Sequence, residues 1–370
     1  MRAFLTSKAI LAVIVFFAIE VVFFRTGAYN RIIKPASFAG MLLQRCQLAQ
    51  AKHNTGAIAL LGDSRLREGF SARIFDQLAA KTPVRALNLG LSGSNPRVWY
   101  YFLKNVDPNC ASFKMIVIAL PSYYDEDYAY GASDRQDDLR LLLPILSVRD
   151  AFDFTQSFQN RPSQVEVLTA MLLKMYGFRQ DLKDLIANPL LRTQDCNFFD
   201  KHWQEIDYKY MGQKESLTGA HVVNNEIVGL PSFVTPHQRE RLQLEVLAQS
   251  ERDLNFHYPY LQLWLDKLSS RYAGSPTRLV FIRIPARPFY APLKHQVHMD
   301  SIEAVSRLSN VIVDPENEFS FLEKPEYFFD DIHLNSLGRK IFSKCLSLKL
   351  IKYAQDNGPE VAEDHRSNSL

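Results

Sequence analysis

The chain has 370 residues, 47% hydrophobic and 22% charged, a balance that suits a globular protein with a real core and excludes a disordered or fibrous one. Net charge is only +3 and no dense Lys/Arg stripe appears, so nothing points to nucleic acid as a partner. Cys46, Cys110, Cys196 and Cys345 are widely spaced with no Cys-x-x-Cys pair, which argues against zinc and leaves one or two disulfides outside the cytosol open.

Residues 9–24, AILAVIVFFAIEVVFF, are an almost unbroken apolar run, with Arg2 and Lys8 before it and Arg25, Arg31 and Lys34 after it. The run is slightly short for a spanning helix, but flanking Arg and Lys side chains reach the interface. It lacks the polar face of a globular surface helix, and no Ala-x-Ala-like cleavage site follows it. An uncleaved N-terminal transmembrane anchor is therefore preferred to a signal peptide. Basic residues at both ends leave its orientation open. Glu20 is the exception inside the run. A carboxylate at membrane depth is costly unless neutral, paired or near the interface. Either Glu20 reaches the headgroups, the simpler reading, or it contacts a partner membrane protein.

Residues 1–35 thus read as anchor and flank, 36–356 as one folded domain, and 357–370 as a polar disordered tail. A helix over 36–53 leads into the domain. Ala57 to Leu61 is a short apolar run expected to be a strand buried on both faces. Gly62-Asp63-Ser64 breaks it, and helical spacing of Ile74, Phe75, Leu78 and Ala79 opens a helix at Ser71. Val84 to Leu89 is the second strand, followed by a Gly90 to Asn95 loop and a helix from Pro96 with Val98, Tyr101, Phe102 and Val106 inward. Lys114 to Leu120 is the third. Strands alternating with helices predict a parallel sheet.

From about 121 to 275 the rhythm stops. Tyr123, Tyr124, Tyr128 and Tyr130 among acidic residues read as a loop, either stacking on sugar rings or, the safer reading, packing against the rest of the insertion. Helical patterns then run over 139–146, 164–175, 180–186 and 238–268, the last divided at Pro259. So long an insertion is expected to be a helical elaboration over the sheet edge. Arg278 to Ile284 restores the strand pattern, helical spacing returns at 294–308, and Val311 to Val313 is a fifth strand. The last helix carries Leu337, Ile341, Phe342, Cys345, Leu346 and Leu350 inward. The predicted fold is a three-layer α/β/α arrangement with a parallel, flavodoxin-like sheet ordered 2-1-3-4-5.

Ser64 leaves the first strand at the carboxyl edge of that sheet, where open α/β folds keep their sites. The alternative is an ordinary turn with serine as a helix cap. His333, with Asp330 three residues before it, lies in the loop ahead of the last helix and opens on the same edge. A serine hydroxyl needs a base to take its proton, and the base needs a carboxylate to fix its tautomer. Ser64, His333 and Asp330 supply all three.

Here the chain resembles the SGNH, or GDSL-like, hydrolases and acyltransferases. Gly62-Asp63-Ser64 matches their first block, Gly93 in Leu-Ser-Gly-Ser the oxyanion glycine, and Asp330-x-x-His333-Leu-Asn-x-x-Gly338 the last block. The resemblance covers roughly 55–120 and 276–352 and implies nucleophile Ser64, base His333 and orienting Asp330, with the N–H groups of Ser64 and Gly93 binding the oxyanion. The family's Gly-x-Asn-Asp block is replaced by Ala119-Leu-Pro121-Ser122-Tyr123, without its Asn. Either Ser122, Tyr123 or Asn95 supplies that donor, or the hole has two donors, or activity has faded. A similar departure marks the membrane-anchored branches resembling the D-alanine transfer protein and alginate O-acetyltransferases. The resemblance therefore implies acyl transfer or ester hydrolysis on an extracytoplasmic, cell-envelope glycan or polymer. Its partners would be an acylated donor, the acceptor and a multi-span membrane protein that loads the acyl group. A non-catalytic scaffold of an envelope assembly complex is the alternative. No metal or organic cofactor is expected.

Other side chains carry weaker signals. Arg65 and Arg67, just after Ser64, either bind an anionic substrate or solvate the turn. Arg283 and Arg287 follow the fourth sheet strand, where salt bridges to loop carboxylates are preferred over substrate contact. His295-x-x-His298 with Asp300 reads as solvated helix residues rather than metal ligands.

Overall fold

Five short runs of apolar, mostly branched side chains build one parallel sheet in the computed structural model, which describes residues 8–124, 133–251, 260–289 and 299–356. They are β1 (Ile58–Leu61), β2 (Ala86–Asn88), β3 (Met115–Leu120), β6 (Arg278–Arg283) and β7 (Val311–Val313). The order is β2-β1-β3-β6-β7, which in chain order of the sheet strands is the expected 2-1-3-4-5. Leu61 pairs with Ile118, so the ends of β1 and β3 open side by side. Every residue of β1 and β3 is buried, because helices cover both faces.

Before the sheet come α1 (Lys8–Ile19), a π-helical turn over Glu20–Arg25, and α2 (Phe38–Gln50). Within its first half lie α3 (Ser64–Gly69), α4 (Ala72–Leu78) and α5 (Pro96–Val106). The insertion supplies α6 (Asp137–Leu142), α7 (Ala151–Gln156), α8 (Arg161–Leu172), α9 (Lys174–Gly177), α10 (Arg179–Ala187) and α11 (Pro189–Lys209). A hairpin of β4 (His221–Val223) and β5 (Glu226–Val228) comes next, then α12 (Pro236–Glu251) and α13 (Tyr260–Tyr272). After β6 come α14 (Asp300–Ser306) and α15 (Ser336–Gln355). On one face of the sheet, Ala59, Leu61, Ile116 and Ile118 pack with α2, α5 and α13 through Leu42, Val98, Phe102, Trp264 and Leu268. On the other, Ile58, Leu60, Met115 and Val117 pack with α4 and α15 through Phe75, Phe342, Leu346 and Leu350.

Several expectations need correction. Leu337 is half exposed, on the outer side of α15. The 21-residue α11 escaped the pattern reading because, of its side chains, only Arg192 and Trp203 are buried, so no apolar period marks it. Pro259, Tyr128, Tyr130, His295, His298 and the tail 357–370 lie outside the described residues. Tyr123 and Tyr124 pack inward on the last strands: Tyr123 donates its hydroxyl to Phe281 O and Asp314 O, and Tyr124 bonds Glu316. All four cysteines are free thiols, with that of Cys46 pushed up to about 12 by burial.

The end of the N-terminal segment is held by the rest of the chain. Among the described residues no helix is long and apolar enough to cross a membrane. Glu20 is turned into the protein's own fold: it is 1% exposed and accepts the N–H groups of Lys174 (2.7 Å) and Met175 (2.9 Å). Arg25 donates to the carbonyls of Met171 and Leu172, 3.1 and 2.6 Å away. Phe24 stacks on Phe178, and Tyr29 hydrogen-bonds Asp181. The helix end is thus gripped by the insertion.

Candidate active site

Gly62 makes the turn out of β1 possible. A Cβ there would lie 2.8 Å from Leu66 Cβ and 3.1 Å from Ala119 Cβ, so no larger residue fits without displacing α3 or β3. Asp63 then caps α3, accepting the Arg65 N–H at 2.8 Å, and Ser64 is the first helical residue. As such, its N–H has no partner within the helix. The sequence reading had only a turn here, since six residues are too few to show a period.

The neighbouring loop is tied to the same turn. Leu91 N–H donates to Gly62 O at 2.9 Å and Ser94 Oγ to the same oxygen at 3.0 Å. Gly93 adopts φ +74°, the left-handed region natural to glycine, and its N–H makes no hydrogen bond to another described residue. Asn88 holds the far side by donating to Arg67 O and Phe70 O while accepting the Gly90 N–H.

The third loop carries His333 and Asp330. His333 Nε2 is 2.8 Å from Ser64 Oγ, and its Nδ1 is 2.8 Å from Asp330 Oδ2. Asp330 Oδ1 accepts the N–H groups of Ile332 and His333 at 3.0 and 2.7 Å, so one carboxylate fixes both ring and backbone. Burial raises the Asp330 pKa, but the hydrogen bond and charge of His333 with those two N–H groups outweigh it, and the carboxyl sits below its ordinary value. Phe329 stacks on the imidazole at 5.7 Å. The loop is clamped by the Phe328–Leu334 bridge and by Asn335, which caps α15 and donates to Glu326 O.

Ser64 therefore meets Asp330 and His333, from near the other end of the chain, in one Ser–His–Asp relay. The chain itself matches no family model, no curated protein and no solved structure.

Of the predicted oxyanion donors, Ser64 and Gly93 are placed on adjoining loops as expected. Asn95 is a correction. Its amide donates to both oxygens of Asp138 at 2.9 Å, and its carbonyl caps α5, so it has nothing left for a substrate. Tyr123 is committed elsewhere, as described. Ser122 lies just past the end of β3 with Oγ accepting the Tyr124 N–H at 3.0 Å.

Among the arginines, Arg283 makes the salt bridge preferred for it: it is buried and pairs with Glu323 at 2.6 Å, a structural bridge. Arg287 is buried beside the same glutamate, whose pKa is raised by burial and pulled back by Arg283. Arg65 folds back on Asp63 at 3.7 Å. Arg67 donates to Ser92 Oγ at 3.0 Å, joining α3 to the loop that carries Gly93. No cluster of His, Cys, Asp and Glu suited to a metal occurs among the described residues.

Two features carried no sequence signal, because each draws on distant segments. First, Arg241 of α12 bonds Asp331, the neighbour of Asp330, at 2.5 Å. Burial, then the Asp330 charge, raise the Asp331 pKa, and Arg241 opposes them. Second, a cavity of about 270 Å³ opens beside Arg67 and Ser92 and is walled by Gln44, Trp203, Tyr210 and Gln213. It is kept open by a buried bidentate pair, Arg45 to Asp207 at 2.8 and 2.7 Å, which holds α11 against α2.

Proposed function

We propose that the chain is a serine-dependent O-acyltransferase or esterase of the SGNH type, anchored to a membrane through residues 9–24 and acting on an extracytoplasmic glycan or polymer. The observation that carries this reading is the unbroken relay from Ser64 through His333 to Asp330, each link 2.8 Å. With Nδ1–H donated to Asp330, His333 Nε2 takes the Ser64 proton as Oγ attacks the acyl carbon. The N–H groups of Ser64 and Gly93 stabilise the oxyanion. His333 returns the proton to the leaving alkoxide, leaving acyl-Ser64. An acceptor hydroxyl or water then attacks, again deprotonated by His333.

The insertion favours transfer over hydrolysis. Its segment 210–217 and α12 flank the base loop through Ser216 to Glu326 O, Leu217 N–H to Phe328 O, and Arg241 to Asp331. The adjoining cavity offers Trp203 and Tyr210 beside amide and guanidinium donors, a combination suited to a sugar ring. Membrane attachment is supported by the solvent-facing apolar side chains of α1, including Leu11, Val13, Ile14 and Phe17. A scaffold that keeps the fold without turnover is the second reading, favoured by the missing block-three Asn.

Ser64→Ala is expected to abolish covalent labelling by a fluorophosphonate, read by intact-mass spectrometry. Labelling that survives the substitution removes Ser64 as nucleophile. In single-turnover measurements, acyl-Ser64 is expected to decay several-fold faster when a polysaccharide acceptor is supplied than in water alone. If water clears it as fast and no acceptor ever carries the acyl group, the protein is an esterase.

A further inference from the structure

The apolar run 9–24 and the grip on its end pose a geometric problem. α1 has 12 residues, about 18 Å of helix, whereas a bilayer core is about 30 Å thick. Even the whole run 9–24 spans only about 24 Å as a helix, and it comes that near only by counting its last part, residues 20–24. Those residues are packed against the insertion: Glu20 on the N–H groups of Lys174 and Met175, Arg25 on the carbonyls of Met171 and Leu172, Phe24 on Phe178. Whatever depth Val21 and Val22 occupy, the outer surface of the gripping helices occupies too.

That surface is apolar. Leu168 and Leu172 stand on one outward stripe of α8, and Tyr176 comes next on α9, beside the Met175 N–H that binds Glu20. On the other flank, Arg192 of α11 donates to Ile32 O, and its neighbours Leu190 and Leu191 are 80% and 56% exposed. Ile186 at the end of α10 is exposed beside them. These six side chains lie on the segments that hold residues 20–32, and basic Arg31 and Lys183, on the held segment and on α10, are exposed as well. A lipid surface with anionic headgroups fits this composition.

We propose that Leu168, Leu172, Tyr176, Ile186, Leu190 and Leu191 form a collar that sinks into the acyl-chain boundary of the bilayer, so that the domain is seated in the membrane rather than tethered above it. The inference rests on the anchor reading above. A seated domain holds the Ser64 edge at one fixed height, and Glu20 is tolerated in the run because its carboxylate is bonded by protein, not lipid.

Brominated lipids test this with the full chain. The native Trp99, Trp203 and Trp264 are at most 5% exposed, so an added surface tryptophan reports separately. Leu172→Trp and Leu190→Trp, in vesicles of phosphatidylcholine and phosphatidylglycerol, are expected to lose at least half of their added emission when the acyl chains carry bromine. Val222→Trp, on the exposed β4 hairpin, is expected to lose none. Flotation of each variant with the vesicles reports the anchor independently. A chain that floats while the Leu172→Trp and Leu190→Trp variants stay unquenched overturns the collar and leaves the anchor standing. A chain that does not float removes both. Shielding of the added indole of Leu172→Trp by a bound membrane protein, without bromine quenching, assigns the patch to a protein partner and also overturns the collar.

Discussion

His333→Ala is expected to reduce turnover by on the order of 10⁶-fold, and Asp330→Asn by about 10⁴-fold. The two differ because they remove different things. Without the imidazole, nothing among the described residues within hydrogen-bond reach of Ser64 Oγ accepts its proton, since the ring nitrogen at 2.8 Å is its partner. With Asn at 330, the ring still reaches Ser64, but the amide cannot stabilise the imidazolium and presents the wrong partner to Nδ1. Asp330 also accepts two backbone N–H groups, which the Asn carbonyl still receives, so the loop keeps its shape. Steady-state hydrolysis of an activated ester, with circular dichroism as the folding control, checks both. Equal rates at the uncatalysed background in wild type and His333→Ala would leave the scaffold reading in place.

Arg97→Ala is expected to cost roughly 3–5 kcal/mol of stability, the largest single loss foreseen outside the strands. Arg97 is 0% exposed, its Nε and Nη2 are both 2.8 Å from Asp138 Oδ2, and its Nη1 donates to the carbonyls of Ser133 and Ser157. Its guanidinium lies 4.0 Å from the centroid of the Phe158 ring. Removing it leaves a carboxylate in the core with Asn95 as its remaining hydrogen-bond donor. Replacing both partners, Arg97→Met with Asp138→Leu, is expected to restore much of the loss, because no unpaired charge remains.

The pH dependence has a definite sign. Burial raises the Asp138 pKa, with Arg97 and Asn95 pulling against it, so loss of Arg97 raises it further. A carboxyl whose folded pKa exceeds its unfolded value, about 3.9, destabilises fully above the folded pKa and ceases to do so below the unfolded one. The deficit of Arg97→Ala against wild type is therefore expected to shrink as pH falls toward 4. Urea midpoints at pH 7 and pH 4.5 measure it; a deficit under 1 kcal/mol at both refutes the account.

The sheet was legible because burial on both faces leaves continuous apolar runs, so Ile58–Leu61 and Met115–Leu120 announce themselves without partners. Ser64, Asp330 and His333 were legible for a related reason. Each stands where an apolar element ends, and the chemistry of hydroxyl, imidazole and carboxylate restricts what such a trio can do. The loops that leave the strands of a parallel sheet all open on one edge, so the meeting of Ser64 and His333 is implied by chain order alone.

Side-chain allegiance was not legible, since it depends on which of several partners lies within 3 Å. Asn95 looked like an oxyanion donor until Asp138, from the insertion, took its amide. A salt bridge was expected of Arg283, but which carboxylate would meet it, Glu323, was not. Nothing in residues 9–24 shows that Glu20 would meet the N–H groups of Lys174 and Met175, 154 and 155 positions away. Local periodicity and composition determined the strands, the apolar N-terminal helix and the three reactive groups. The tertiary structure alone decided how polar groups share their bonds, because a buried donor or acceptor takes whatever complement the packing brings, and packing is set by the whole chain at once.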